Sequence, residues 1–256
     1  MYRLGSVSYL NSKPLIYGLE RDPAVQLVLD VPSGLLGGLR RGTHEVALLP
    51  VIDYQRMPGL RMLTSGGIGS DGATLTVRIF SHVPLGQVRS MACDTDSHTS
   101  VALSRVILAE RYGTRPAFLD LKDRPGDRTD AVLLIGDKVI TQAPPGFEHQ
   151  IDLGEQWKIL TGLPFLFAAW MAREDADLGD LPERLERARG LGLAHIDEIV
   201  QTYGVSRGWP ADLARDYLTR HLQFDVGPKQ IEAVRLFHQL AKKHGAIEGP
   251  VRELRV

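Results

Sequence analysis

Hydroxyl and amide side chains gather at three places in this chain where a β-prone run gives way to a turn or a helix. The first is Val7-Ser8-Tyr9-Leu10-Asn11-Ser12-Lys13-Pro14-Leu15. Asn11 and Ser12 stand where a helix takes its N-cap, and Pro14 occupies a first-turn position that tolerates proline. The second is Asp94-Thr95-Asp96-Ser97-His98-Thr99-Ser100, where Ser97, Thr99 and Ser100 crowd one helix start together with His98. The third is the turn Gly69-Ser70-Asp71-Gly72, feeding a run whose alternation sets Thr74, Thr76 and Arg78 on one side. Helix N-termini carry free N–H groups that favour anions, and hydroxyls beside them can cap the helix or donate to a ligand. Two such junctions facing each other across a cleft suit a molecule with two carboxylates, with Lys13 and His98 adding charge locally. The same residues also serve as ordinary caps. A fourth stretch, Trp157 to Phe165 (WKILTGLPF), reads as aromatic hinge core at least as well as ligand contact.

Other chemistries lack their residues. There is no G-x-x-x-x-G-K-[ST] phosphate loop, no G-x-G-x-x-G fingerprint, no H-E-x-x-H and no paired C-x-x-C. The eight histidines are scattered without metal-ligand spacing, and no G-x-S-x-G elbow occurs. Neither a metal nor an organic cofactor is expected. The one cysteine, Cys93, lies in an apolar run and reads as a buried structural thiol. Lys plus Arg number 30 against 31 for Asp plus Glu, so no global field attracts nucleic acid or a membrane surface. The sequence shows no basic n-region followed by an apolar h-region and no apolar run of membrane-spanning length, which points to a cytoplasmic protein. No feature marks an oligomer face.

These junctions need a scaffold that brings strand ends together. The 256 residues, 43% hydrophobic and 24% charged, suffice for a large domain or two lobes. Short apolar runs at 2–9, 25–31 and 45–50 alternate with helical patterns, as in a mostly parallel sheet with crossover helices. Residues 74–81 and 88–94 are β-prone, 99–112 is helical up to Gly113, and 131–135 is a buried strand ending at Gly136-Asp137. The run 162–172 (GLPFLFAAWMA) is a second long apolar strand. From Leu181 the pattern is helical, ending with a helix that opens at Gly227-Pro228 and buries Ile231, Val234, Phe237 and Leu240. Two long apolar strands flanking a self-contained α/β segment imply an α/β bilobal, periplasmic-binding-protein-like (type II) fold. It would have two mostly parallel sheets flanked by helices, a two-strand hinge and the ligand in the cleft. On this reading residues 1–81 and 172–256 make one lobe and 82–171 the other.

Taken together, VSYLNSKPL, the SDG turn with its hydroxyl-bearing strand, the S-x-T-S helix start, the LLIGD strand end and W-x-x-x-TGLPF resemble the chorismate dehydratases of the futalosine route to menaquinone. The resemblance runs the length of the chain, including Phe224-Asp225-Val226-Gly227 and its helix. It implies a cofactor-free enzyme that removes water from the dicarboxylate chorismate to give 3-[(1-carboxyvinyl)oxy]benzoate. Carried over by motif position, Asn11 and Thr76 are the expected catalytic pair. Ser12, Ser97, His98, Thr99, Ser100, Gly136, Asp137 and Thr161 are the expected substrate-binding set. Two positions depart from the family pattern: Thr76 stands where a serine is usual, and His98 replaces an arginine. The histidine exchanges a permanent charge for one that titrates near neutrality, which predicts an affinity falling as pH rises. Rival readings are a non-catalytic solute-binding protein for an aromatic or dicarboxylic acid, the sister enzyme making dihydroxynaphthoate, and the effector domain of a regulator. The first would normally need export. The second typically carries a C-P-N-D-T type loop in place of Ser8-Tyr9-Leu10-Asn11-Ser12, and the third a preceding helix-turn-helix.

Overall fold

A computed structural model describes residues 1–123, 129–142 and 144–256. In chain order the strands are β1 (Tyr2–Ser6), β2 (Val25–Leu29), β3 (Val46–Pro50), β4 (Leu60–Ser70), β5 (Val77–Ser81), β6 (Ser90–Cys93), β7 (Ala117–Asp120), β8 (Ala131–Ile135), β9 (His149–Asp152) and β10 (Phe165–Arg173). The helices are α1 (Lys13–Ile16), α2 (Pro32–Arg41), α3 (His98–Tyr112), α4 (Asp137–Thr141), α5 (Leu153–Thr161), α6 (Leu181–Ala194), α7 (Ile196–Ile199), α8 (Ala211–Asp216) and α9 (Pro228–Lys243). π-helical turns at Val200–Gly204 and Tyr217–His221 continue α7 and α8.

Two five-stranded sheets form two lobes. The first runs β2-β1-β3-β10-β4 and the second β7-β6-β8-β5-β9. β1 pairs parallel with β2 and β3, while β10 pairs antiparallel with β3 and β4. The second sheet repeats this scheme, with β6 parallel to β7 and β8 and β5 antiparallel to β8 and β9. Each sheet is mixed: four of its five strands run the same way, as the β–α alternation suggested, and one, β10 in the first sheet and β5 in the second, runs against them. The apolar run Val46–Pro50 is buried throughout, as a strand covered on both faces must be.

The lobe boundaries also move. β5 belongs to the second sheet and β10 to the first, so a cut at 81/82 would put β5 in the wrong lobe and one at 171/172 would split β10. The chain crosses between lobes in 71–76, after β4, and again through α5 and the residues before β10. Both crossings are tied at Asp152. Its Oδ1 accepts from the N–H groups of Thr74 (2.9 Å), Gly154 (3.0 Å) and Glu155 (3.2 Å), and its Oδ2 from that of Leu75 (2.7 Å). Leu75, at φ 68°, is the one non-glycine residue among the described residues held in the left-handed region. The β-prone run expected from Thr74 therefore becomes regular strand only at Val77.

The seam between crossings is aromatic. Trp157 packs edge-on to Phe165 (centroids 5.0 Å apart), which packs edge-on to Phe237 of α9 (5.1 Å), and all three are fully buried. The indole N–H of Trp157 donates to the Pro164 carbonyl (3.1 Å), satisfying its one polar atom. Trp157 and Phe165 are thus core. The helical tail returns to the first lobe, where α9 lies against β10.

Candidate active site

The cleft between the lobes has an empty volume of about 620 Å³. Val7, Tyr9 and Asn11 reach it from the loop after β1, Thr74, Thr76 and Val77 from the first crossing, Asp96, Ser97 and Ser100 from the loop after β6, and Gly136 from the end of β8. Phe167, Ala168 and Ile68 supply an apolar wall, and Tyr217 closes the floor. The two sequence-marked junctions do face each other: the Tyr9 hydroxyl lies 3.4 Å from Asp96 Oδ2 across the cleft. Loop ends at the carboxyl edges of strands are where open α/β sheets bind ligands.

Asn11 and Thr76 meet at a residue the sequence did not single out. The Tyr217 hydroxyl is 2.8 Å from Thr76 Oγ1, and the Asn11 carboxamide lies beside the same phenol. Thr76 and Tyr217 are buried, and the Asn11 Oδ1 is buried with no hydrogen-bond partner among the described residues. Burial drives the phenol pKa well above its ordinary value, so Tyr217 stays neutral at any physiological pH. The Tyr217 ring stacks on Trp209 (4.9 Å, 20°).

On the opposite wall, Ser97 is the N-cap of α3. Its Oγ accepts from Ser100 N–H (3.2 Å) and lies 2.8 Å from Ser100 Oγ. The first-turn N–H groups of His98 and Thr99 have no carbonyl behind them in the helix, the arrangement that favours an anion. Among the described residues no Lys, Arg or His side chain lines the cleft. Asp96 does line it, neutralised from behind. Burial works to raise its pKa, but Lys122 Nζ (2.6 Å from Oδ1) and Lys138 Nζ (2.9 Å from Oδ2) hold it down at about 2. A carboxylate so held is a poor proton acceptor. Tyr9, desolvated and beside Asp96, has its pKa pushed up to about 12.

Several expected contacts lie elsewhere. Ser12 does not cap α1 or reach the cleft: its hydroxyl donates to the carbonyls of Val7 and Tyr9 (both 2.8 Å), and it is fully buried. Leu10–Ser12 form a 3-10 turn and α1 spans only four residues, so the extended helix N-terminus expected there is absent. Thr99 Oγ1 accepts from Ile52 N–H (3.2 Å) in the first lobe and is fully buried. His98 turns away from the cleft, its Nδ1 2.8 Å from the buried Asp53 carboxylate. Lys13 is buried with its ammonium over the Tyr203 ring (4.5 Å). Thr161 Oγ1 donates to the Trp157 carbonyl (2.9 Å) and accepts from Leu163 N–H (3.1 Å) inside the crossing. Arg78 binds Gln150 (3.0 Å) and does not join Thr74 and Thr76 in the cleft.

Gly136 lines the cleft at φ 61°, ψ −146°, a conformation open essentially to glycine alone. Asp137, beside it, does not line the cleft. It accepts from the indole N–H of Trp209 (3.0 Å) in the first lobe, with Arg207 Nε at 3.6 Å. Burial raises its pKa against the pull of those partners. Asp137 is thus a latch between lobes. Tyr9 shares a loop with Asn11 and was within reach of the sequence. Tyr217 and Trp209 carry no local signal, lying 141 and 133 residues beyond Thr76.

Two lobes on mixed five-stranded sheets, joined by two crossings with a cleft between them, define a periplasmic-binding-protein-like fold. Solved structures share it. A protein of Archaeoglobus fulgidus superposes with a TM-score of 0.74 at 16% identity, covering 96% of this chain and 98% of that one. The periplasmic aliphatic sulphonate binding protein SsuA of Escherichia coli gives 0.67 at 13%, covering 100% and 96%. Such likeness establishes the fold alone. The family is fixed by sequence: the chain belongs to the family described as menaquinone biosynthesis, whose pattern matches residues 2–243. It is also 30% identical over 240 residues to the chorismate dehydratase of Thermus thermophilus, covering 85% of this chain and 87% of that one.

Proposed function

We propose that this protein dehydrates chorismate to 3-[(1-carboxyvinyl)oxy]benzoate, a hydro-lyase step in menaquinone biosynthesis. The observation that carries the proposal is the gathering of Asn11, Thr76 and Tyr217 on one side of a cleft whose other side presents the N-cap hydroxyls of α3. The Thermus thermophilus relative and the ordered motifs support it. One substrate carboxylate is received at the N-terminus of α3 by Ser97, Ser100 and the first-turn N–H groups, with His98 and Thr99 contributing their backbone.

The reaction breaks the C–H bond at the ether-bearing ring carbon and the C–O bond of the adjacent ring hydroxyl. The C–H electron pair completes an aromatic ring, and proton and hydroxide leave together as water. Aromatisation drives the reaction, so the protein need only hold an elimination-ready conformer and stabilise the departing oxygen. Asp96, with a pKa of about 2, is a weak base. The proton therefore goes to the substrate's own enolpyruvyl carboxylate, which hands it to the departing hydroxide to complete the water, while Asn11 and Thr76 orient the ring and polarise the leaving hydroxyl. A cytoplasmic location belongs to the same reading. Among the described residues no helix is long and apolar enough to cross a membrane.

The test is incubation of purified protein with chorismate, without added cofactor or metal, followed by chromatography and mass spectrometry. Loss of one water to the carboxyvinyloxy-benzoate is the expected result. Binding without turnover would replace the enzyme reading with a solute-binding one. Asn11→Ala is expected to lower kcat by about 10²-fold or more, the usual cost of removing a preorganised polar contact. Near-normal turnover would refute its assignment.

A further inference from the structure

We infer that Tyr217 is a positioning residue that sets the direction of the Thr76 hydroxyl, so that Thr76 Oγ1 and Asn11 Oδ1 together grip the leaving hydroxyl of the substrate. The inference rests on the dehydratase reading and adds to it a residue and a hydrogen-bond direction.

The Asn11 carboxamide lies beside the Tyr217 phenol in the same cleft wall. The phenol carries one proton and lies 2.8 Å from Thr76 Oγ1, and in the inferred direction it donates there. With the phenol donating to it, Thr76 must send its own proton elsewhere, and the free side of its hydroxyl is the cleft it lines. The two hydroxyls then form a chain running from the Tyr217 O–H to the Thr76 O–H, the first bond polarising the second. Its last donor is aimed where negative charge grows on the departing oxygen. The other end of Asn11 completes the grip. Its Oδ1 is a buried acceptor in the cleft wall without a partner among the described residues, a costly state for a polar atom. The leaving hydroxyl can donate its O–H there while accepting from Thr76.

Tyr217 is built to hold still. Its ring is buried, stacked on Trp209, and set at the first residue of a π turn, an irregularity frequent at functional sites. Trp209 is fixed in turn by its indole N–H on Asp137 of the opposite lobe. The ring that orients Thr76 is therefore clamped from both lobes.

The experiment is a double-mutant cycle of Tyr217→Phe and Thr76→Ala on the full chain, read as kcat, KM and melting temperature. Phenylalanine keeps the stacked ring and deletes only the hydroxyl. Tyr217→Phe is expected to lower kcat about 10- to 100-fold with KM within about threefold, since the lost bond acts on the transition state. The double variant should be no slower than Thr76→Ala alone, because Tyr217 acts through Thr76. Multiplying effects would show Tyr217 donating independently and would overturn the inference, as would a Tyr217→Phe kcat within twofold of the unmodified protein. If Tyr217→Phe does not melt cooperatively, the cycle is run with Trp209→Phe, which loosens the ring but spares the hydroxyl, and the same non-additivity is required. An unmodified protein that leaves chorismate intact sinks the dehydratase reading and the relay together, whereas normal turnover with additive variants sinks the relay alone.

Discussion

Replacing Asp152 by alanine strikes the knot that ties both crossings, and its cost follows from the four N–H groups the carboxylate receives. Gly154 and Glu155 lie in the first turn of α5, for which Asp152 is the N-cap. Losing such a cap costs about 1 kcal/mol. Thr74 and Leu75 are loop donors beside the cleft, and each stranded buried donor costs about 1–3 kcal/mol. Two effects reduce the total. Burial raises the Asp152 pKa, so its removal relieves a desolvated carboxylate, and Leu75 can relax from its positive φ. The net expectation for Asp152→Ala is a loss of about 2–4 kcal/mol, equivalent to roughly 5–15 °C in Tm for a chain of this size. Because Thr76 follows Leu75 directly, kcat should fall at least about tenfold even where the variant is fully folded, a misplaced group near the chemistry being this costly. Asp152→Asn keeps the shape but turns an N–H toward a donor, and should cost about half as much. Urea unfolding with kcat measured on the same preparations checks the reasoning. A loss below about 1 kcal/mol with unchanged kcat would refute it.

Four further outcomes follow from the geometry. Gly136→Ala places a Cβ 3.6 Å from the Tyr9 ring, with room to spare, but at a glycine-only φ and ψ. It should cost about 1–3 kcal/mol in a thermal melt and raise KM. Asp96 has its folded pKa lowered from 3.8 to about 2, so the stability it contributes is present above pH 4 and lost as pH falls through that window. The loss is at most about 2 kcal/mol because Lys122 is largely exposed, and urea midpoints should show it absent in Asp96→Asn. Since His98 faces Asp53 and not the cleft, KM for the substrate should stay flat from pH 5.5 to 8, the opposite of what a cleft-lining histidine would give. Finally, burial raises the Cys93 thiol to about 12, so a thiol reagent should label it only after unfolding.

The limits of the sequence are visible in particular residues. Strand positions such as Val46–Pro50, and α3 and α9, follow from apolar period and from proline and glycine punctuation. Lobe membership does not. Val77–Ser81 and Phe165–Arg173 are both β-prone and apolar, and only their partners β8, β9, β3 and β4 decide which sheet each joins. Hydroxyls mislead for a related reason: Ser12 and Thr161 answer nearby backbone carbonyls, and Thr99 an N–H from the other lobe, so a motif match cannot separate a structural bond from a ligand contact. Tyr217 was invisible because its meaning lies in a contact made across 141 residues.

The order of strands in the first sheet has a consequence for synthesis. β10 sits between β3 and β4, yet it is made more than ninety residues after β4. A chain emerging from the ribosome therefore carries β4 without its neighbour while the whole of the second sheet, β5 to β9, is completed behind it. The second lobe is continuous in sequence and can close as soon as residue 152 is free. The first lobe must wait, with an open edge, for the return of the chain. Vectorial synthesis thus favours the inserted lobe folding first and acting as the spacer that brings β10 back to its gap.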